Sequence, residues 1–214
     1  VSRNHSAHTD AQRAQITAGV AVLEQRLIER GAITGEQLDD ILDTFTHRLG
    51  AHHGARYVAR AWTDPQFKRN LLKDATAVVR RYGYDLRGAS NRELPFLHLE
   101  VVENTDDVHS LVVCTLCSCY PTALLGPPPS WYKSIQYRAR AVREPRVVLG
   151  EFGTHLDPAV QVRVWDSNAD CRYLVLPRKP NGSEQLTEDQ LAALVTRDCL
   201  IGTTQPVGPS PRPS

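Results

Sequence analysis

The run Val112-Val113-Cys114-Thr115-Leu116-Cys117-Ser118-Cys119-Tyr120-Pro121 ends an apolar stretch in three closely spaced cysteines. Their spacing is Cys-x-x-Cys-x-Cys. Three thiols this close converge on one metal ion without help from distant segments. A zinc ribbon needs a second cysteine pair, but the later cysteines, Cys171 and Cys199, stand singly. A thioredoxin-type pair fits poorly, because a third cysteine follows and the flanking pattern differs. The Cys117-Ser118-Cys119 triplet offers a different geometry. With sulfurs on both sides of one small residue, the intervening peptide nitrogens face the same ion. Deprotonated amide nitrogens together with thiolates favour a small, highly charged metal over zinc. Such a donor set fills all positions of an octahedron except one, which stays open for substrate or water.

Outward from this run, Val108 to Cys114 reads as an apolar strand that leads into the cysteines. Before it, Leu97, Leu99 and Val101 alternate with His98, Glu100 and Val102, the pattern of a half-buried strand. The polar stretch from Gly88 to Pro95 reads as a loop. After the cysteines, Gly126-Pro127-Pro128-Pro129 forces an extended connection. Helical pieces follow around Tyr137 to Val142 and from Pro145 to Phe152. Two further strands are expected, Val160 to Trp165 and Tyr173 to Leu176. Thr187 with Gln190 caps a short helix through Leu191, Leu194 and Val195.

The first 80 residues read as helix. Ile16, Val20, Leu23 and Leu27 lie on one helical stripe, and Gly31 ends it. Thr34 and Gln37 have capping-box spacing for a second helix, with Leu38, Ile41, Leu42 and Phe45 on its apolar face. A third helix through Arg56, Tyr57, Val58 and Trp62 ends near Asp64-Pro65. His52-His53-Gly54 before it reads as a loop. Asp64 as N-cap and Pro65 at the first helical position start a fourth helix, with Phe67, Leu71, Leu72, Ala75, Val78 and Val79 buried and Gly83 closing it. The fold class is therefore α+β: a helical N-terminal arm over 1–50, then a layered α-β-β-α globular domain over 51–202. A disordered tail is expected over 203–214.

Composition narrows the function classes. Among 214 residues, 25 are Lys or Arg and 24 Asp or Glu, a net charge of +1 that gives no electrostatic footprint for nucleic acid. Hydrophobic residues make up 41% and charged residues 23%, the mixture of a chain that buries a core. No stretch approaches a membrane span, and the opening residues VSRNHSAHTDAQRAQ carry no apolar signal core. A cytoplasmic location is expected. The five cysteines are odd in number and clustered, which suits reduced thiols rather than a disulfide framework. Cys171 and Cys199 read as buried or half-buried core thiols.

The segment Val113 to Cys119 resembles the metal claw of the nitrile hydratase alpha subunit family. So do Ala55 to Trp62, Val102 to Thr105, Trp131 to Ser134, Tyr137 to Arg146, Val162 to Ser167, Arg172 to Pro177 and Leu194 to Asp198. The resemblance covers residues 20–202. The gamma subunit of thiocyanate hydrolase shares the claw, and Asp198-Cys199-Leu200-Ile201-Gly202 resembles that protein somewhat more.

The resemblance implies a division of roles. Cys114 would be the axial thiolate, Cys117 a sulfinate and Cys119 a sulfenate, with the backbone nitrogens of Ser118 and Cys119 completing the plane. The catalytic residues would be Cys117, Ser118 and Cys119. Asp166 and Arg172 match family positions that support the claw from outside. Thr115 resembles the cobalt class, so one Co3+ per chain is expected in preference to iron. The activity implied is hydration of a nitrile to an amide, a lyase reaction. Either water at the metal or the Cys119 sulfenate oxygen would be the nucleophile. The alternatives are the thiocyanate hydrolase gamma subunit and a non-catalytic metal-binding module. A beta subunit, as one chain or two smaller ones, would close the site with arginines that this nearly neutral chain does not itself place beside the claw. A metallochaperone is a further expected partner. Where the family commonly carries tryptophan, Thr122 stands here. With the long polar segment Asp85 to Pro95, it points to a bulky or nucleoside-type nitrile, or to thiocyanate.

Overall fold

The structure is a computed structural model that describes residues 18–38, 50–81, 98–117 and 119–209. The chain divides into two compact units, Val1–Thr44 and Phe45–Ser214. In the first, residues 18–29 are helical, and Gly31 adopts φ +66°. Its N–H reaches the Ile28 carbonyl and that of Ala32 reaches Leu27, both at 2.9 Å, which closes the helix as the sequence predicts. The Thr34–Gln37 capping box forms in both directions, at 2.9 and 3.1 Å. Val20 and Leu23 are more than half exposed (57% and 58%), so among the described residues this part of the stripe is uncovered. Ile16, Ile41, Leu42 and Phe45 lie outside the described residues.

The second unit opens with helices α1 (Ala51–Thr63), α2 (Pro65–Lys73) and α3 (Ala75–Arg81). Asp64 caps α2 by accepting the Phe67 N–H at 2.9 Å, with Pro65 in the first turn. The single helix expected from Pro65 to Gly83 is instead two. Asp74 leaves the helical region, and its carboxylate caps α3 by accepting the Ala77 N–H at 2.8 Å. The loop expected at His52-His53-Gly54 is corrected too, since all three residues lie inside α1. Gly54 is there for packing. A Cβ on it would stand 3.0 Å from the Leu124 carbonyl oxygen and 2.7 Å from Leu200 Cδ1. Gly83 and the segment 88–95 lie outside the described residues.

Four strands follow the expected positions: β1 (His98–Glu103), β2 (Val108–Val113), β3 (Gln161–Asp166) and β4 (Cys171–Leu176). They form two separate two-stranded parallel sheets. In one, β1 pairs with β4 with Leu99 opposite Arg172; in the other, β2 pairs with β3 with Val113 opposite Asp166. Parallel pairs need crossovers, and the β2–β3 crossover carries α4 (Thr122–Leu125), α5 (Ser130–Lys133), α6 (Ile135–Arg143) and α7 (Pro145–Glu151). Two short helices close the unit, α8 (Glu188–Ala193) behind the Thr187–Gln190 capping box and α9 (Arg197–Ile201). Helices α2, α3 and α9 pack on the β1–β4 sheet, while α6 and α7 pack on the β2–β3 sheet, and β2 lies against β4. The order is helix, sheet, sheet, helix, with a core of Val58, Leu71, Leu99, Leu111, Leu149, Leu174 and Leu200. Among the described residues no helix is long and apolar enough to cross a membrane.

The start of the expected tail is anchored. Thr203 is fully buried, its carbonyl accepts from the Thr154 hydroxyl at 2.8 Å, and its own hydroxyl donates to the Asp198 carbonyl. Residues 210–214 lie outside the described residues. Beside this anchor, His109 of β2 is buried between Asn104 and Gly202. The Gly202 carbonyl at 2.7 Å can only accept, so Nε2 carries the proton, and Nδ1 accepts from the Asn104 amide at 3.3 Å.

Burial lowers the His109 pKa, outweighing the hydrogen bond to Gly202. The unfolded chain therefore takes up a proton near pH ~6.5 that the folded chain refuses. Stability is full above that pH and falls as pH drops through it, by at most about 1.4 kcal/mol per pH unit for one proton. Thermal melts between pH 7.5 and 5 are expected to show this slope, and His109→Gln is expected to flatten it by about one proton. An unchanged slope would assign the acid sensitivity to other groups.

Candidate metal centre

The three clustered cysteines sit where β2 ends. Cys114 is fully buried, Cys119 nearly so, and Cys117 is exposed. The Sγ atoms of Cys114 and Cys117 are 3.5 Å apart and those of Cys117 and Cys119 3.1 Å, with all three within 4.8 Å of one another. With metal–sulfur bonds of about 2.3 Å, a tetrahedron has sulfur–sulfur edges of about 3.8 Å and an octahedron cis edges of about 3.3 Å. The 3.1 Å spacing matches the octahedral edge, and the 3.5 Å spacing lies between the two. Three soft donors at this spacing fit a transition-metal ion. Burial, then the contact with Cys117, pushes the Cys119 thiol up to about 12, and the Arg172 guanidinium partly opposes this. Metal entry must therefore displace a proton from this sulfur. Ser118 lies outside the described residues.

Several side chains hold the loop from behind. Asp166, the last residue of β3, accepts the Thr115 N–H at 2.9 Å and the Thr115 hydroxyl at 2.5 Å. The parallel register brings it there, because Asp166 pairs with Val113. Tyr132 donates to the Cys119 carbonyl at 2.9 Å and Tyr137 to the Val112 carbonyl at 2.7 Å. Burial pushes both phenols well above their ordinary range, which keeps them donors. Arg138 of α6 donates to the carbonyls of Thr115 and Leu116 at 3.2 and 3.3 Å. Behind these, Tyr120 meets Tyr132 edge-on at 5.1 Å, and Trp131 packs against Tyr137 and Phe152 at 4.9 and 4.7 Å.

The structure brings Asp166 to the cysteine loop, and it places the Arg172 guanidinium where its charge acts on Cys119. Arg172 Nη1 is buried without a hydrogen-bond partner. This corrects the expectation that the chain supplies no positive group beside the cysteines. Tyr132, Tyr137 and Arg138 carry no spacing signal in the sequence that would mark them as site residues. Their contacts join segments that no local spacing relates. Cys199 is buried, with the Thr196 hydroxyl 3.2 Å from its sulfur, and Cys171 is half-buried; neither joins the cluster. Thr122 is half-buried at the start of α4.

Asp166→Ala is expected to cost little stability, about 1 kcal/mol, because water reaches the Thr115 groups it leaves. Metal affinity is expected to fall about tenfold, the usual effect of removing a group that orients a metal-binding loop. Chelator competition on the purified chain measures this directly. Unchanged affinity would mean that Asp166 only closes the strand end.

The chain is similar to known proteins over most of its length. The chain matches the family described as nitrile hydratase, alpha chain, over residues 14–204. It is 50% identical over 196 residues to the low-molecular-weight cobalt-containing nitrile hydratase subunit alpha of Rhodococcus rhodochrous, covering 92% of this chain and 91% of that one. It is 42% identical over 183 residues to the thiocyanate hydrolase subunit gamma of Thiobacillus thioparus, covering 84% and 75%. A solved Fe-type nitrile hydratase variant from Comamonas testosteroni Ni1 superposes with a TM-score of 0.83 at 39% identity, covering 94% of this chain and 96% of that one.

Proposed function

Because this chain belongs to the nitrile hydratase alpha-chain family, we propose that it is the metal-bearing alpha subunit of a cobalt nitrile hydratase. The reaction adds water across a C≡N bond and gives an amide, a lyase chemistry. The observation that carries this reading is the gathering of the Cys114, Cys117 and Cys119 sulfurs within 4.8 Å in a family member.

Cys114, Cys117 and Cys119 hold the ion, with Ser118 and Cys119 offering backbone nitrogens. Cobalt(III), when bound, supplies Lewis acidity toward a nitrile or a water. Cys117 would be carried as a sulfinate and Cys119 as a sulfenate, with dioxygen as the oxidant that supplies the three oxygens and takes up the six electrons. The Cys119 sulfenate oxygen would either accept a proton from the water that adds to the nitrile carbon, or add to that carbon itself, the π electron pair passing to nitrogen and water then releasing the product and restoring the sulfenate. Asp166 fixes the loop through Thr115, and the Arg172 charge favours an anionic Cys119. Cobalt rather than iron is supported by Thr115 and by the similarity to a cobalt-containing subunit. The similarity to an Fe-type structure keeps iron as the comparison to be measured.

The partner is a beta subunit, as one chain or two, that supplies arginines to the sulfur oxygens and completes the site at the boundary. Leu116, 82% exposed inside the cysteine loop, and the exposed arm residues Val20 and Leu23 support such a covering partner. A metallochaperone delivers the cobalt, and the complex works in the cytoplasm. Thr122 in place of a bulky aromatic leaves room for a large or nucleoside-type nitrile. The second reading, a thiocyanate hydrolase gamma subunit, is favoured by the 42% identity to that protein.

The test is one preparation of the alpha chain with its beta partner, assayed on a nitrile and on thiocyanate. Elemental analysis is expected to give about one cobalt per chain, and the mass of the cysteine peptide two added oxygens on Cys117 and one on Cys119. Turnover of thiocyanate alone would select the second reading. Zinc in the site, or unmodified cysteines in an active cobalt enzyme, would overturn the assigned roles.

A further inference from the structure

The cysteine loop is gripped by a cation that makes no ion pair among the described residues. Arg138 projects from α6 and donates through one Nη to both the Thr115 and Leu116 carbonyls, at 3.2 and 3.3 Å. These are the two residues between Cys114 and Cys117. No carboxylate pairs with Arg138 among the described residues, and its Nε is buried with no hydrogen-bond partner. The neighbouring Arg140 shows the ordinary alternative, since it is paired with both Glu144 and Glu151. A half-buried guanidinium that is denied a counter-ion is costly unless something at the site compensates it.

We infer that Arg138 is the positioning residue of the metal loop: it gathers the Thr115 and Leu116 carbonyls, sets the separation of the Cys114 and Cys117 sulfurs, and offsets the negative charge of the thiolates that bind the ion. The physical case has two parts. The loop between Cys114 and Cys117 has only two residues, so fixing both of its carbonyls leaves the chain little freedom to move one sulfur relative to the other. The Cys114 and Cys117 sulfurs lie 3.5 Å apart at the two ends of this loop, a spacing that holds while both carbonyls stay in place. A fixed positive charge stands against the same loop, and the planar fork holds direction as well as charge. Asp166 also grips Thr115, through its N–H and hydroxyl, so the loop is held at donors by a carboxylate and at acceptors by a guanidinium.

The inference rests on the reading that the three thiols hold a metal, and the experiment separates the two. The full-length chain, with its cysteines reduced, is titrated with Co2+ alone in competition with a chromophoric chelator, and the sulfur-to-cobalt charge-transfer absorption is recorded. Failure of the unmodified chain to bind Co2+, both alone and with its beta partner and metallochaperone present, would overturn the metal reading itself. With binding established, Arg138→Gln is expected to weaken Co2+ affinity about tenfold or more and to shift the charge-transfer band. Arg138→Lys is expected to recover part of the affinity, by restoring the charge, without recovering the band position, because an ammonium lacks the fork. Melting of the metal-free protein reports folding separately and is expected to move by only a few degrees. Should Arg138→Gln fail to fold, Arg138→Lys still decides the matter. Native affinity together with a native band in either folded variant would overturn the inference.

Discussion

Alanine at Cys114 is expected to give a folded chain that neither retains metal nor turns over substrate. Cys114 is fully buried, its sulfur accepts the Cys117 N–H at 3.3 Å, and it touches the Cys117 sulfur at 3.5 Å. Removing it deletes one of three thiolate donors and the acceptor that turns the loop back toward the strand. Binding energies of closed thiolate sites, spread over their ligands, put one donor at about 3 kcal/mol or more, at least a hundredfold in affinity. The cavity left by one sulfur costs only about 1 kcal/mol of folding stability, so the fold survives. Cys199→Ala is the matched control: it removes an equally buried thiol that lies outside the cluster, and it is expected to keep its metal. Metal per chain, read beside thermal melting, distinguishes the pair. Equal metal content in both variants would remove Cys114 from the site.

Gly202→Ala is expected to cause the largest loss of stability. Gly202 ends α9 at φ +89°, a conformation that a side chain disfavours, and a Cβ there would stand 2.0 Å from the Ser110 carbonyl oxygen. That atom is backbone in the centre of β2, so it has nowhere to retreat. Left-handed strain contributes about 1 kcal/mol, and forcing the strand and the helix end apart adds about 2 to 3 kcal/mol more. The displacement would also break the bond from His109 to the Gly202 carbonyl, leaving a buried imidazole unsatisfied. A fall in melting temperature of about 10 °C or more is expected, or insoluble expression. Gly182, also at positive φ but with open space around its Cβ position, is the comparison. Its alanine variant is expected to lose only the conformational part.

Elements that begin with a cap were legible from residue spacing alone. Asp64-Pro65, Thr34 with Gln37, and Thr187 with Gln190 mark helix starts whose partners are three residues away, and all three form. Alternation likewise located the strands. Their pairing was not legible, because parallel register is fixed by crossovers and by which faces are buried. His52-His53-Gly54 misled in a particular way. Glycine in a helix lowers propensity, and its reason for being there is the close approach of Leu124 and Leu200, which are distant in sequence. The opposite error occurred at Asp74, where a continuous apolar stripe hid a break made by a capping carboxylate. For the site, the three thiols are neighbours in sequence and were visible at once. Tyr132, Tyr137 and Arg138 reach the loop across turns of irregular backbone, so nothing periodic announces them.

The dependence of Thr115 on Asp166 also orders events in time. The carboxylate that fixes the loop lies 51 residues downstream of it, and the strand carrying it must first complete a crossover through four helices. During synthesis the three thiols therefore leave the ribosome well before the groups that orient them. At about 5 to 20 residues per second, this is an interval of several seconds. In that window the cysteines are an open, unshaped thiol cluster, able to capture whichever soft ion or oxidant arrives first. Correct loading thus belongs to the finished fold and not to the nascent chain. A pulse of cobalt given during translation and one given after release are then expected to yield different metal contents.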